Sequence, residues 1–241
     1  MTETACTISV TSPGDPTIGH VGPPVRCMEI RLEDIPEMKY HASDRPHPRG
    51  EICVRGPSVF RGYHKDPGAT AEVMDADGWF HTGDVGMRLP GGRLKIIDRK
   101  KNIFKLAQGE YVAPEKIENV YVKCPLVAQV MVYGDSLKHK LVAIVVPDPE
   151  VLLPWAAGRK IAGSLADLCR DPAVAGAVLK QMLKQGEGAG LHGFEQAFAV
   201  HLEPEMWTVE SGFMTPTMKI KRPVLREAYQ RQIDEMYAAL K

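Results

Sequence analysis

No apolar run in this 241-residue sequence approaches the ~18–20 residues that a membrane-spanning helix needs. The longest candidate, Leu141–Val146, is the length of a strand. An excess of one charge sign is also missing. The 30 Lys and Arg balance 30 Asp and Glu, which excludes a globally basic nucleic-acid binder. Cysteine is sparse. Cys6, Cys27, Cys53, Cys124 and Cys169 are odd in number, lie far apart and form no Cys-x-x-Cys pair, and no histidine stands in metal-ligand spacing with any of them. This argues against a disulfide framework and a structural metal, and for a reducing compartment. The start, Met1-Thr2-Glu3-Thr4, has neither the basic patch nor the apolar stretch of a signal peptide. Internal repeats and low-complexity tracts are absent as well. What remains is ordinary: 44% apolar and 25% charged residues supply enough material for a core and exclude disorder across the chain.

The first hundred residues read as short strands between close turns. Met28–Leu32 and Glu51–Arg55 alternate with period two. Pro23-Pro24, Gly56-Pro57, Asp66-Pro67-Gly68, Asp77-Gly78 and Pro90-Gly91-Gly92 punctuate them. The pattern predicts a small barrel or sandwich, with one short helix over Thr70–Met74. The texture changes near Asp98–Lys101. Pro114 with acids in the following turn marks a helix start, and Ile117, Val120, Tyr121 and Cys124 share a face of that helix. Val127–Tyr133 and Leu141–Val146 read as strands, the second covered on both faces, and Pro147-Asp148-Pro149 stops it. Asp171-Pro172 opens a helix whose stripe is Val178, Leu179, Met182 and Leu183, ending at Gly186–Gly190. Ala197–Leu202 is a further strand. A closing helix lines up Leu225, Tyr229, Ile233, Met236, Tyr237 and Leu240. The expected class is α/β (α+β).

Neutral net charge hides local imbalance. Arg93–Lys105 carries six basic residues against Asp98, a net of +5, and Lys219–Arg226 carries four with no acid. Such segments read either as solvated faces or as cationic elements aimed at a polyanion such as a nucleotide or CoA. Motifs decide between these readings. Asp77-Gly78-Trp79-Phe80-His81-Thr82-Gly83-Asp84 reads as turn, strand and turn, ending on an aspartate fixed beside a glycine and suited to accept two hydrogen bonds from ribose hydroxyls. Ile97-Asp98-Arg99-Lys100-Lys101, Gln108–Glu118 and Thr215-Pro216-Thr217-Met218-Lys219-Ile220-Lys221-Arg222 follow in order.

This order and spacing resembles the adenylate-forming (AMP-binding) superfamily, and within it the long-chain fatty acid–CoA ligase branch. Gly50 through Glu118 is similar to that branch almost continuously, including Val54-Arg55-Gly56-Pro57, Gly62-Tyr63 and Lys105–Tyr111. The resemblance implies two parts. Residues 1–98 are the C-terminal remnant of the large AMP-binding domain with its small β-barrel subdomain. Residues 99–241 are the small, mobile C-terminal α/β domain. Met1-Thr2-Glu3-Thr4 is similar to the tail of a Tyr-Gly-x-Thr-Glu motif, which implies that Thr2 contacts the adenylate phosphate and Glu3 helps to hold Mg²⁺. Asp84 matches the aspartate that binds both ribose hydroxyls, Arg99 the arginine on ribose and phosphates, and Lys101 the hinge. Gly109 and Glu110 belong to a loop that reaches the CoA thiol channel. Lys219 aligns with the catalytic lysine.

The implied reaction converts a fatty acid, ATP and CoA into acyl-CoA, AMP and pyrophosphate through an acyl-adenylate. Where many superfamily members have Ser-Gly-Lys, this sequence has Thr217-Met218-Lys219, as in the long-chain branch. No glycine-rich phosphate loop precedes Asp84, and Pro13-Gly14-Asp15 is too short for one. The expectation is therefore the C-terminal portion of a longer enzyme, inactive without its N-terminal large domain. Two alternatives stand beside it. A non-catalytic CoA- or nucleotide-binding module is disfavoured by intact Asp84, Arg99 and Lys219. A coumarate–CoA ligase relative is disfavoured by the Gln108–Tyr111 loop and by Thr215–Lys219. Location is expected to be cytoplasmic, with peripheral association at the cytosolic face of the endoplasmic reticulum or another organelle membrane implied by the branch.

Overall fold

The period-two stretches of the first hundred residues pair into one antiparallel sheet. Its strands are β1 (Glu29–Glu33), β2 (Arg49–Arg55), β3 (Phe80–Arg88) and β4 (Leu94–Arg99), in the order β1-β2-β3-β4. The computed structural model describes residues 1–240. It divides into two units, Met1–Ile103 and Phe104–Lys241, so Asp98 and Arg99 belong to β4 of the first.

Alternation sorts the first sheet into two unlike faces, because successive side chains of a strand point to opposite sides. Ile30, Leu32, Ile52, Val54 and Phe80 join Met28, Phe60 and Met74 in a core. On the other side the register sets Arg31 opposite Cys53, Cys53 opposite His81, and Glu33 opposite Glu51. The expected barrel is an open sheet among the described residues: β1 and β4 are its edges. Four strands are too few to close, since barrels take about five to eight or more. Helix α1 (Pro67–Val73) starts three residues before the expected position, because the Asp66 carboxylate caps it by accepting the Ala69 N–H at 2.9 Å. Strand β3 also runs past the turn expected at Gly83-Asp84. Gly83 takes a φ of 70° and the register shifts between Val85 and Gly86, so the strand bends there rather than ending.

The second unit opens with a two-stranded hairpin, β5 (Phe104–Lys105) and β6 (Tyr111–Val112), and helix α2 (Pro114–Tyr121). A three-stranded sheet follows in the order β7 (Val127–Tyr133), β8 (Leu141–Pro147) and β9 (Ala197–Leu202). Strand β8 is antiparallel to β7 and parallel to β9. The parallel crossover consists of α3 (Pro149–Ala157), α4 (Leu165–Arg170) and α5 (Pro172–Gly188). Every residue of β8 is buried. Leu141, Ala143 and Val145 face the core beneath α2 and α5. Val142, Ile144 and Val146 face Trp207 and the closing helices α6 (Arg222–Ala228) and α7 (Gln230–Ala239).

Three local departures from the expected elements have physical causes. Pro147-Asp148-Pro149 stops β8 and also starts α3, with the Asp148 carboxylate accepting the Glu150 N–H at 2.9 Å. Helix α5 continues through Gly186 because that glycine, buried, lets the Gln196 side chain lie against the helix. The closing helix is two, parted at Tyr229 (φ −106°, ψ 16°). There the tyrosine hydroxyl accepts the indole N–H of the fully buried Trp207 at 3.0 Å. No helix among the described residues is long and apolar enough to cross a membrane.

Truncating Ile144 leaves a void between β8 and the α6–α7 layer. Ile144→Ala is expected to destabilise the protein by about 2–5 kcal/mol, read as a lower urea midpoint for loss of the second unit's structure.

Candidate active-site elements

In the first unit the sheet register brings Asp84 and Arg99 together. They are direct cross-strand partners on β3 and β4, and Arg99 Nε donates to Asp84 Oδ1 at 2.7 Å. Asp84 is held from below: its N–H donates to Thr82 Oγ1 at 3.0 Å, and the Thr82 hydroxyl donates to the Ile52 carbonyl at 2.8 Å. The following turn is fixed by buried Asp98, whose Oδ1 accepts the Arg99 N–H at 2.6 Å and Asn102 Nδ2 at 3.3 Å. Lys101 is exposed on that turn. Its neighbour Lys100 donates to Glu51 Oε2 at 2.9 Å, while Glu51 Oε1 accepts the Gly83 N–H at 3.2 Å.

Thr2 and Glu3 form a single 3₁₀ turn, Thr2–Thr4. Glu3 is tied to the unit twice: its carbonyl accepts the Phe60 N–H at 2.8 Å, and its Oε1 accepts the Tyr63 hydroxyl at 3.2 Å. Burial, and then the Glu3 charge, push the Tyr63 phenol above its ordinary range, while Arg99 works in the opposite direction. Tyr63 thus feels both Glu3 and Arg99. Sequence reading missed it as a site residue, although the Gly62-Tyr63 pair was a visible signal. Thr2 is exposed.

In the second unit Gly109 and Glu110 lie in the loop of the β5–β6 hairpin. Gly109 has a φ of 96°, its N–H donates to the Leu106 carbonyl, and the Leu106 N–H donates to the Glu110 carbonyl, each at 2.8 Å. Buried Leu106 anchors the loop. Its tip rests on the β7–β8 connection: Gln108 Nε2 donates to the His139 carbonyl at 3.1 Å, and the Ala107 N–H to that of Lys138 at 3.0 Å. No sequence motif marks Lys138 or His139 for this contact.

Lys219 sits exposed on a tight turn closed by the Met214–Ile220 bridge. The Thr215 N–H donates to the Lys219 carbonyl at 2.8 Å, and the Lys219 N–H to Thr215 Oγ1 at 3.1 Å. Met218 takes a φ of 60°, a conformation glycine adopts freely and other residues hold at about 1–3 kcal/mol. Just beyond, Arg222 makes a bidentate pair with Glu118 of α2, both bonds 2.8 Å, and also donates to the Val132 carbonyl at 3.3 Å. Glu118 Oε1 further accepts the Val132 N–H at 2.7 Å. The lysine turn is thereby bolted to α2 and β7.

The AMP-binding enzyme profile matches residues 1–64, and the AMP-binding enzyme C-terminal domain profile matches residues 116–185. The chain is 58% identical over 241 residues to the peroxisomal long chain acyl-CoA synthetase 6 of Arabidopsis thaliana, covering 100% of this chain and 34% of that protein. It is 56% identical over 238 residues to human long-chain-fatty-acid–CoA ligase 6, covering 98% and 34%. The chain belongs to the AMP-binding enzyme family. It spans about a third of the length of the curated relatives it matches. Among solved structures, the adenylation domain of a carboxylate reductase from Mycobacterium chelonae superposes with a TM-score of 0.79 at 39% identity, covering 91% of this chain and 32% of that one. The corresponding domain from Segniliparus rugosus, in complex with AMP and a co-purified carboxylic acid, gives 0.78 at 36%, covering 92% and 33%. The mixed helix–strand fold expected for the family is the one observed.

Within this family member the Glu118–Arg222 pair is a sharp structural dependence, because removing one partner strands a buried charge. Arg222→Ala is expected to cost about 3–5 kcal/mol, measured by chemical denaturation, whereas Lys221→Ala, two residues from Lys219, changes stability by no more than about 0.5 kcal/mol.

Proposed function

We propose that this chain is the C-terminal portion of a long-chain fatty acid–CoA ligase that joins fatty acid and CoA at the expense of ATP, releasing AMP and pyrophosphate. The observation that carries the reading is 58% identity over all 241 residues with a long chain acyl-CoA synthetase. The matched span covers the stretches that carry Asp84, Arg99 and Lys219 alike. In this reading residues 1–98 complete a large AMP-binding domain whose phosphate loop and acyl tunnel lie in a preceding segment. The second unit, from Phe104 onward, forms the small domain, with Lys101 just before it as the hinge about which it swings.

The chemistry accounts for the residue types. A carboxylate oxygen of the fatty acid attacks the α-phosphorus of ATP; the new C–O–P linkage forms as the bond to pyrophosphate breaks. Two anions must meet, and charge accumulates on the phosphoryl oxygens. The Lys219 ammonium relieves that repulsion and holds the reactants in line. Arg99 supplies a second cation to ribose and phosphate. Asp84, held beside Arg99, is the acceptor for the ribose hydroxyls, and Thr2 offers its hydroxyl to the adenylate phosphate.

Glu3 fits a Mg²⁺ role. Mg²⁺ binds through one or two carboxylates plus substrate phosphates, and Tyr63 engages only one of the Glu3 oxygens. When bound, the ion would neutralise charge on the nucleotide phosphates. In the second half-reaction the CoA sulfur attacks the acyl carbon, the thiol proton is lost, and AMP departs with the C–O bonding pair. The Gly109–Glu110 loop lies along the CoA path in this reading, and Lys219 leaves the site as the small domain turns. The cytosolic face of an organelle membrane is the proposed location.

In the full-length enzyme, Lys219→Ala is expected to lower acyl-adenylate formation by at least about 100-fold, the scale of removing a preorganised charge-stabilising group. Acyl transfer from supplied acyl-adenylate to CoA should be spared. Pyrophosphate release and acyl-CoA formation, assayed separately, check this; unchanged adenylation sinks the assignment. Asp84→Asn is expected to weaken ATP binding by about tenfold, the scale of one hydrogen bond to a charged group, read by calorimetric titration with ATP.

A further inference from the structure

The ionic face of the first sheet holds a cluster that the proposed reaction does not use. Glu33 of β1, Cys53 of β2 and His81 of β3 place one oxygen, the sulfur and one ring nitrogen within 4.8 Å of one another. The His81 Nδ1 to Cys53 Sγ distance is 3.4 Å, and the Cys53 Sγ to Glu33 Oε2 distance is 3.7 Å. We propose that Glu33, Cys53 and His81 form a binding site for a borderline-soft divalent transition ion, with Zn(II) as the type case.

Three features of the structure support this. The first is spacing. Zinc bonds of about 2.3 Å to sulfur and about 2.05 Å to nitrogen or oxygen, at tetrahedral angles, set sulfur about 3.5 Å from its neighbours. The observed distances bracket that value before any ion enters. The second is the outer shell. A metal-bound histidine usually directs its other ring nitrogen at a carboxylate, which fixes the ring. His81 Nε2 lies 3.7 Å from Asp75 Oδ2. That carboxylate is itself fixed, because Asp75 Oδ1 accepts the N–H groups of Asp77 and Trp79 at 3.0 and 2.8 Å. Glu33 is oriented too: Arg31 Nη2 donates to Glu33 Oε2 at 2.9 Å and to Asp75 Oδ2 at 2.8 Å, with its guanidinium stacked 4.6 Å over the Trp79 ring.

The third feature is charge and access. Arg31 opposes a cation, but three carboxylates, Glu33, Glu51 and Asp75, surround the cluster, with Glu51 Oε1 4.0 Å from His81 Nδ1. Cys53 is fully buried, whereas the His81 and Glu33 side chains are 23% and 44% exposed. An ion therefore reaches the site from the solvent side and keeps one position for water. Binding exchanges the thiol proton for the metal–sulfur bond and releases that proton to solvent; no electron changes hands.

The test uses the whole 241-residue chain and two probes. Co(II) titrated into the wild type is expected to give a stoichiometric thiolate-to-cobalt band in the near ultraviolet. The band should be unchanged in a Cys6→Ser/Cys27→Ser variant, which removes the two exposed cysteines, and lost in Cys53→Ser. Asp75→Asn is expected to weaken Zn(II) binding by about 10–100-fold, the usual effect of an outer-shell partner. Zn absorption spectroscopy on the Zn(II)-loaded wild type should show one sulfur neighbour, and this readout needs no variant to fold. A wild type with no sulfur neighbour overturns the site, as does a cobalt band that survives Cys53→Ser or vanishes with Cys6 and Cys27. The proposal stands or falls independently of ligase activity.

Discussion

Strand alternation is the constraint on which the rest of this protein depends. In the second unit both faces of β8 are apolar, so helices must cover both. The chain meets that demand by sending α2 and α5 to one side and Trp207 with α6 and α7 to the other. In the first unit only one face is apolar, and the opposite face is free to collect charge. The same rule that builds each core therefore decides where ionisable side chains accumulate. It also sets them side by side from distant parts of the chain: Arg31, Cys53 and His81 share one row only because β1, β2 and β3 pair in that register.

The charged groups are arranged in two contrasting ways. Asp84–Arg99 is half-exposed and mutual, so each partner can be shared with a ligand without stranding the other. In Glu118–Arg222 the carboxylate is buried and both groups make further bonds to Val132, so the pair holds elements in place and has little left for a ligand. The first arrangement suits recognition and the second suits scaffolding. Their sequence neighbourhoods do not betray the difference. Both members of the scaffold pair stand inside the motifs that resemble the long-chain branch.

Periodicity made the elements of the second unit legible, because a continuous apolar run such as Leu141–Val146 leaves no other way to bury itself. Boundaries were less legible. Asp66 and Asp148 cap helices that begin on prolines otherwise read as turn and stop, and Gly186 looked like an end until the Gln196 side chain explained its place within α5. The barrel expectation failed on strand number, which local pattern does not reveal. For the candidate site, the order of motifs marked Asp84, Arg99 and Lys219. Tyr63, Glu118, Arg222 and the Lys138–His139 rest act through contacts made at long sequence separation. Linear spacing also argued against any Cys–His pair. Cys53 and His81 are 28 residues apart, a separation that means nothing along the chain and everything across a sheet.

The left-handed backbone of Met218 has a consequence for how the lysine turn behaves. A glycine at that place would visit many conformations, and each productive encounter would have to select one of them. A methionine held at positive φ has already surrendered that freedom during folding, at a standing energetic cost to the native state. The turn is therefore a stiff bracket: the backbone of Lys219 moves with the unit that carries it rather than by local rearrangement of the loop, so only the lysine side chain itself is left to adjust.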